Sequence, residues 1–312
     1  MTLPRFRRLA LFGWIMQGLI VLSGAAVRLT EAGLGCEDWP TCNEGELLPE
    51  WQVHGLIEFG NRVISLLVTA SAIAVFVAAR RLRPRRTELD RFALAVVAGT
   101  VAQIVLGGVT VLLDLHPIVV AVHFLVSMVL LWASQSLWLA AGTEQVRRYD
   151  PDRLIGRLSQ GLLGLAVAVL VAGTVVTGTG PHSGDSRADR LNLELTEVTR
   201  VHSTLAWLLV ACVVVLAVRL AKAVGSADND VRARALPAAY RLLVVVLAQG
   251  SIGYTQFAIG VPALLVELHI LGALLVWTAA IQLHRRVHGF ASGVEPALVR
   301  SGTSAASGVS IS

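Results

Sequence analysis

The feature that most constrains this chain is a series of eight apolar runs, each about 20 residues long and nearly free of charge, enough to cross roughly 30 Å of hydrocarbon as a helix. No water reaches a backbone amide at that depth, so each run must satisfy its own hydrogen bonds, as a helix does and an open strand does not. The runs fall at about residues 9–28, 54–78, 92–113, 117–140, 158–179, 200–221, 242–260 and 263–283. With 55% hydrophobic and 15% charged residues, against roughly 25% charged in an average soluble domain, the composition excludes a water-soluble globular fold. The expected class is an all-α polytopic membrane protein of eight transmembrane helices. The first run leads straight into polar sequence with no small-residue cleavage site, so no cleavable signal is expected.

The net charge of +5 does not imply a nucleic-acid partner, because the arginines flank the apolar runs and are not interleaved with aromatic residues. Their partner is the lipid bilayer. Of the 26 Lys and Arg residues, all except Arg28, Arg62, Arg187, Arg190 and Arg200 lie before the first run, after the eighth, or in the connections that follow even-numbered runs. The positive-inside rule then puts both termini in the cytoplasm of a multi-pass protein of the cell membrane. Two outer segments are long, the acidic 29–53 and 180–199. The Gly, Ser and Ala-rich tail 291–312 is expected to be disordered.

The chain repeats itself. Gln103 is followed by Gly107 and His123, and Gln249 by Gly253 and His269 at the same two offsets. Each copy has a proline in its short outer turn, Pro117 and Pro262, and a tryptophan about one span deeper, Trp132 and Trp277. Ser23 to Val27 matches Ala172 to Val176 more loosely. Two pseudo-symmetric four-helix bundles are expected, 1–145 and 146–290, and because four spans is an even number they share one orientation, with the repeat axis along the membrane normal. The glycines at 107, 108, 173, 178 and 253 leave room for close helix contact or for a flat ligand.

His123, His202 and His269 each lie within about two turns of the outer end of a span. Ionisable groups at membrane depth are costly and usually functional. A single such histidine is most simply a hydrogen-bonding group; two at matching repeat positions with a third on the neighbouring span point to metal or heme ligation by inward side chains. His202 and His269 form the axial pair expected. His54 and His182 read as loop histidines, and His116 sits in a tight turn. In span two, offsets of four and seven residues bring His54, Glu58 and Asn61 onto one helix face. Glu58 either pairs with Arg62 or faces a substrate cavity as acid, base or electrostatic stabiliser. Cys36 and Cys42, in the first outer loop, are placed to close a disulfide, structural or redox-active, with no nearby histidine to favour zinc. Cys212 reads as a buried small residue.

The string from Gly24 to Cys42, with Arg28, Gly33, Gly35, Cys36, Asp38, Trp39 and Pro40, followed by Glu58 and Arg62, resembles bacterial heme A synthase. So do Gln103 to Ser127, Gly173 to Asp185, and Gly253 to His269, and the likeness extends over about residues 9–285. It implies a heme-dependent oxidoreductase that converts a ring methyl of heme O to the formyl group of heme A for cytochrome oxidase assembly. In that resemblance the C-terminal bundle holds heme b between His202 and His269, and the N-terminal bundle receives heme O beside Glu58 and His123. An electron donor of unidentified nature and a heme O synthase are the implied partners. One position departs: the family has histidine three residues after the glutamate, and here stands Asn61. Heme O would then be held by His123 alone, by His123 with His54 as the replacement, or with a different resting ligation. Two other classes use similar features. A quinol-linked cytochrome b would need the histidines but no cavity carboxylate, and a heme or small-molecule transporter would use a parallel repeat but also broken helices with mid-bilayer charges.

Overall fold

The structure is a computed structural model that describes residues 1–43, 45–49, 51–142, 151–223 and 226–288. The tail 291–312 and residues 143–150, where the two halves were expected to join, lie outside the described residues. Eight helices account for the regular structure: α1 (Leu3–Leu29), α2 (Val53–Arg80), α3 (Thr87–Leu112), α4 (Pro117–Ala140), α5 (Arg153–Thr179), α6 (Leu195–Lys222), α7 (Ser226–Ala258) and α8 (Ala263–His288). All eight are long and apolar enough to cross a membrane. They outrun the apolar runs, since a helix continues past the hydrocarbon edge into the charged interface. The largest extension is α7, whose first turns and Pro237 precede the apolar stretch.

Local chemistry fixes several ends. Pro117 occupies the first turn of α4, where no intrahelical N–H is needed. Asp152 caps α5 by accepting from the Leu154 and Ile155 amides at 2.9 and 3.3 Å. Arg80, Arg219, Lys222, Arg285 and Arg286 lie in the last turns of α2, α6 and α8, where the helix dipole favours positive charge.

Within each half, consecutive helices pack side by side and the first closes on the fourth. The halves meet through α1 with α8, α4 with α5, and α4 with α8, a set of contacts unchanged when the two halves are exchanged. The outer turns repeat too. Leu115 and Val261, 146 positions apart, have φ of 58° and 59°, and their amides donate five residues back, to the Thr110 and Gln256 carbonyls at 2.8 and 2.7 Å.

Polar bonds hold the α4–α8 seam. Trp277 Nε1 donates to the Met128 carbonyl at 2.9 Å, Gln135 Nε2 to the Thr278 carbonyl at 3.0 Å, and Arg285 to Ser136 Oγ. Each such bond contributes on the order of 1 kcal/mol between membrane helices, where lipid removes the hydrophobic drive and packing must supply the rest. The repeat is used unequally here: Trp277 is buried at the seam, whereas Trp132 is 41% exposed. Core packing is unequal as well. Leu162, Leu209, Leu216, Leu242 and Ile281 fill the second half, while the largest cluster of the first half, around Phe6, Leu89 and Leu137, brings together the ends of α1 to α4 remote from the long outer loops.

Candidate functional site

Above these cores lies one continuous cavity of about 1490 Å³, walled by both halves. It exceeds the roughly 300–1,000 Å³ of an ordinary small-molecule pocket. Glu58, Asn61 and His123 face it from the first half, and His202 and His269 from the second.

In the second half, His202 on α6 and His269 on α8 face each other with ring centroids 6.3 Å apart and planes at 65°. Two imidazole–metal bonds of about 2 Å each, with half a ring added on either side, sum to a similar separation, so the spacing matches one ion held between them. His202 Nδ1 lies 3.1 Å from the Val169 carbonyl, which makes it the protonated nitrogen and leaves Nε2 as a lone-pair donor. Helix α5 gives His202 its room through Gly173, where a Cβ would lie 3.2 Å from the ring. For His269 the same service comes from Gly253 on α7, at 3.0 Å, while Gln249 donates to the His269 carbonyl at 2.7 Å. Two imidazoles are too few for a bare ion, and no group of three or more His, Cys, Asp or Glu converges among the described residues. They would suffice to hold a metal whose remaining positions a macrocycle supplies.

The first half repeats one side of this arrangement. Gln103 donates to the His123 carbonyl at 2.9 Å and to Ser127 Oγ at 2.5 Å, and Gly107 faces the His123 ring. Nδ1 of both His123 and His269 makes no hydrogen bond among the described residues. The other side differs. Asn61 accepts from Ser23 Oγ at 2.7 Å and lines the cavity, but a Cβ on Gly24 would meet nothing within 4 Å, whereas one on Gly173 would crowd the His202 ring.

Glu58 satisfies both of the alternatives its sequence left open. One carboxylate oxygen pairs with Arg62 at 2.6 Å and the other accepts from the Cys36 amide at 2.7 Å, and the side chain still borders the cavity. Arg62 goes on to the Thr41, Asp38 and Cys36 carbonyls. Cys36 and Cys42 come together in this loop with Cα atoms 4.4 Å apart, and Trp39 between them lies against α3 at Gly108, where a Cβ would overlap the indole. His54 is not brought to the cavity. It is exposed in the first turn of α2, where the loop crosses so closely that a Cβ on Gly35 would come within 2.5 Å of its carbonyl.

The outer loops of the two halves are joined across the cavity mouth. Arg28 donates to the His182 and Thr177 carbonyls at 2.6 and 2.9 Å, the Gly33 amide to the Gly184 carbonyl at 2.9 Å, and Arg187 to Glu37 and Asp185 at 2.7 and 3.1 Å. Partial burial pushes the Asp185 carboxyl up, but the Arg187 amide, guanidinium and charge, with a smaller effect of His54, outweigh it and hold the group below its ordinary range. The hydrogen bonds that Arg187 donates to Asp185 and then to Glu37 raise it above its own.

Sequence reasoning passed over several cavity-lining groups, among them Arg28, Gln17 and Thr100. In sequence Arg28 is one of the few outer cations and part of the Gly24–Cys42 string, and neither feature gives it a place on a cavity wall. Gln17, a lone amide in an apolar run, is the kind of residue whose cost should have drawn notice.

A family model described as COX15-CtaA, cytochrome oxidase assembly protein, matches residues 7–53 and 48–182, together more than half of the chain. The matched residues hold Glu58, Asn61 and His123 and stop before α6. Among individual proteins, the chain is 39% identical over 107 residues to "Heme A synthase" of Symbiobacterium thermophilum, covering 34% of this chain and 35% of that one. It is 30% identical over 164 residues to "Heme A synthase" of Lysinibacillus sphaericus, covering 52% of each. It is also 43% identical over 90 residues to "Protoheme IX farnesyltransferase" of Thermus thermophilus, covering 27% of this chain and 15% of that one. The alignments thus span about a third to a half of the heme A synthases they match.

Proposed function

The chain belongs to the COX15-CtaA family of cytochrome oxidase assembly proteins, and from that premise we propose that it is a heme A synthase, a membrane enzyme that oxidises the ring methyl of heme O to the formyl group of heme A. The observation that carries the reading is the single cavity shared by a facing imidazole pair in one half and a carboxylate with one histidine in the other. Heme b is the cofactor of the second half, held by His202 and His269. A heme iron supplies the electron and oxygen chemistry that attack on an unactivated methyl requires and polar side chains lack.

The chain's own groups do the rest. His123 seats the substrate heme, with Asn61 offering a hydrogen-bonding amide where the family has histidine. Glu58 holds or releases a proton at its carboxylate, and Arg62 fixes its position against the loop. Cys36 and Cys42 form a disulfide in an outer, oxidising compartment and keep the loop amide of Cys36 on Glu58. Both termini are cytoplasmic, and the protein sits in the cell membrane. The name of the Thermus thermophilus relative describes farnesyl transfer to protoheme, the reaction that supplies heme O, so a heme O synthase is the expected neighbour. An electron donor is a further required partner.

The test is extraction of hemes from membranes of cells that make heme O, with and without this protein. Heme A should accompany the protein. Pigment that stays heme O in its presence would reject the reading. His202→Ala and His269→Ala should each lose or shift a reduced b-type spectrum of the purified protein, and an unchanged spectrum in both would reject the ligand pair.

A further inference from the structure

We propose that Gln17 and Thr100 form a polar floor that selects a heme bearing a hydroxyl on its deep edge, an inference that rests on heme O being the substrate of the first half. Gln17 on α1 and Thr100 on α3 belong to helices that are not packing neighbours and lie diagonally across the bundle. They meet beneath the cavity they line, where Gln17 Nε2 donates to Thr100 Oγ1 at 2.9 Å. Both are 5% exposed. Thr100 sends its own proton to the Val96 carbonyl at 2.7 Å, so Gln17 keeps one N–H and its Oε1 for a ligand. Such groups at membrane depth are costly unless used.

The repeat shows that the floor is specific to this half. Gln17 stands seven residues before Gly24, and Ala166 seven before Gly173; Thr100 stands three before Gln103, and Val246 three before Gln249. Ala166 and Val246 are buried and line the same cavity. One half therefore has an amide and a hydroxyl at its base where the other has two alkyl groups.

The rim fixes which edge of a heme reaches the floor. The charged side chains on the cavity wall, Arg28, Glu58, Arg62 and Arg200, all lie toward its outer end. Heme carboxylates turn outward to the arginines, and the opposite edge goes down. Gln17 lies about 16 Å below Arg28 along α1, a depth comparable with the long dimension of a porphyrin. At that edge heme b carries vinyl and methyl groups. Heme O carries there the hydroxyl-bearing carbon that joins its farnesyl chain. Gln17 Oε1 accepts from that hydroxyl, whereas heme b would leave the amide unpaired. Sites built to bond a substrate hydroxyl reject analogues that lack it for this reason.

The experiment titrates the full-length protein, with its second-half heme in place, with heme O and separately with heme b, and reads the ratio of the two affinities at the first half. The wild type should favour heme O. Gln17→Leu and the near-isosteric Thr100→Val should each reduce the ratio by about tenfold or more, and Gln17→Asn should retain part of it. The reciprocal pair Ala166→Gln with Val246→Thr should raise the share of heme O extracted from the second half. An unchanged ratio in both first-half variants, with wild-type melting temperature, overturns the inference, as does an equal loss of affinity for both hemes. A wild type that takes up no heme O in the first half would instead sink the proposed function itself, and this inference with it.

Discussion

Gly253 and Gly107 are equivalent in the repeat but not equally tight. A Cβ at Gly253 would lie 3.0 Å from the His269 ring, inside normal contact, and one at Gly107 would lie 3.5 Å from His123, within it. Gly253→Ala should therefore displace the imidazole by a few tenths of an ångström and shift or weaken the reduced heme spectrum, at a cost on the order of 1–2 kcal/mol, while Gly107→Ala should leave the spectrum of the second half as it is. Equal spectra for both variants would contradict the ligand geometry. The neighbouring question is what Glu58 does. Glu58→Gln keeps the shape and can still receive the Cys36 amide through its carbonyl oxygen, but loses the titratable charge. It should keep the second-half heme and make less heme A by a factor of about 10²–10⁴, read by pigment extraction; a normal yield would remove carboxylate chemistry from the mechanism. Asn61→His should be tolerated because the position already faces the cavity, and His54→Ala should leave heme content unchanged because His54 does not.

At the scale of elements, hydropathy located every helix, because apolar length at membrane depth is a one-dimensional property. The first outer loop was legible only as a loop with two cysteines. Its fold depends on contacts far away in sequence: Arg62 gathering three of its carbonyls, Trp39 lying on Gly108, and the Cys36 amide reaching Glu58. A bridge from Cys36 to Cys42, six positions apart, would contribute about 2–3 kcal/mol in the chain-entropy picture. Alkylation without reductant should label neither cysteine, and mass should rise by two alkyl groups at them only after reduction. Reduction should raise proteolytic nicking in 29–53 before any loss of helix by circular dichroism. Labelling of both in the untreated protein would count against the bridge.

At the scale of the molecule, the repeat made the two-half architecture legible, since Gln, Gly and His recur at one offset. What the repeat could not reveal is where the halves differ. Trp132 and Trp277 look alike in sequence and only one enters the seam; Gly173 lies against the His202 ring, whereas a Cβ on its looser counterpart Gly24 would meet nothing within 4 Å. The joint between the outer loops is likewise invisible in sequence, because its partners are about 150 positions apart.

That joint has two parts with different dependence on solution conditions. Arg187 holds Glu37 and Asp185 through side chains that are mostly exposed on the arginine and Glu37, so salt screens it. Asp185 has its folded pKa lowered, so its share of stability is fully present above the ordinary carboxylate range, about pH 4, and is lost only as pH falls through the lowered value. Arg28, bonded to two main-chain carbonyls and charged throughout, depends on neither salt nor pH in this range. Hydrogen exchange at the Gly33 amide, which spans the joint, should separate the two. Arg187→Ala should change its exchange by less than about threefold at physiological salt. Arg28→Leu should raise it by tenfold or more, through local opening of the loops and without global unfolding. The wild-type rate, corrected for intrinsic chemistry, should stay flat from pH 7 to about pH 4 and rise only below. A rise that begins near neutrality would mean that histidine, not the Asp185 pair, governs the joint, and a large effect of Arg187→Ala would mean that the exposed ion pairs carry it.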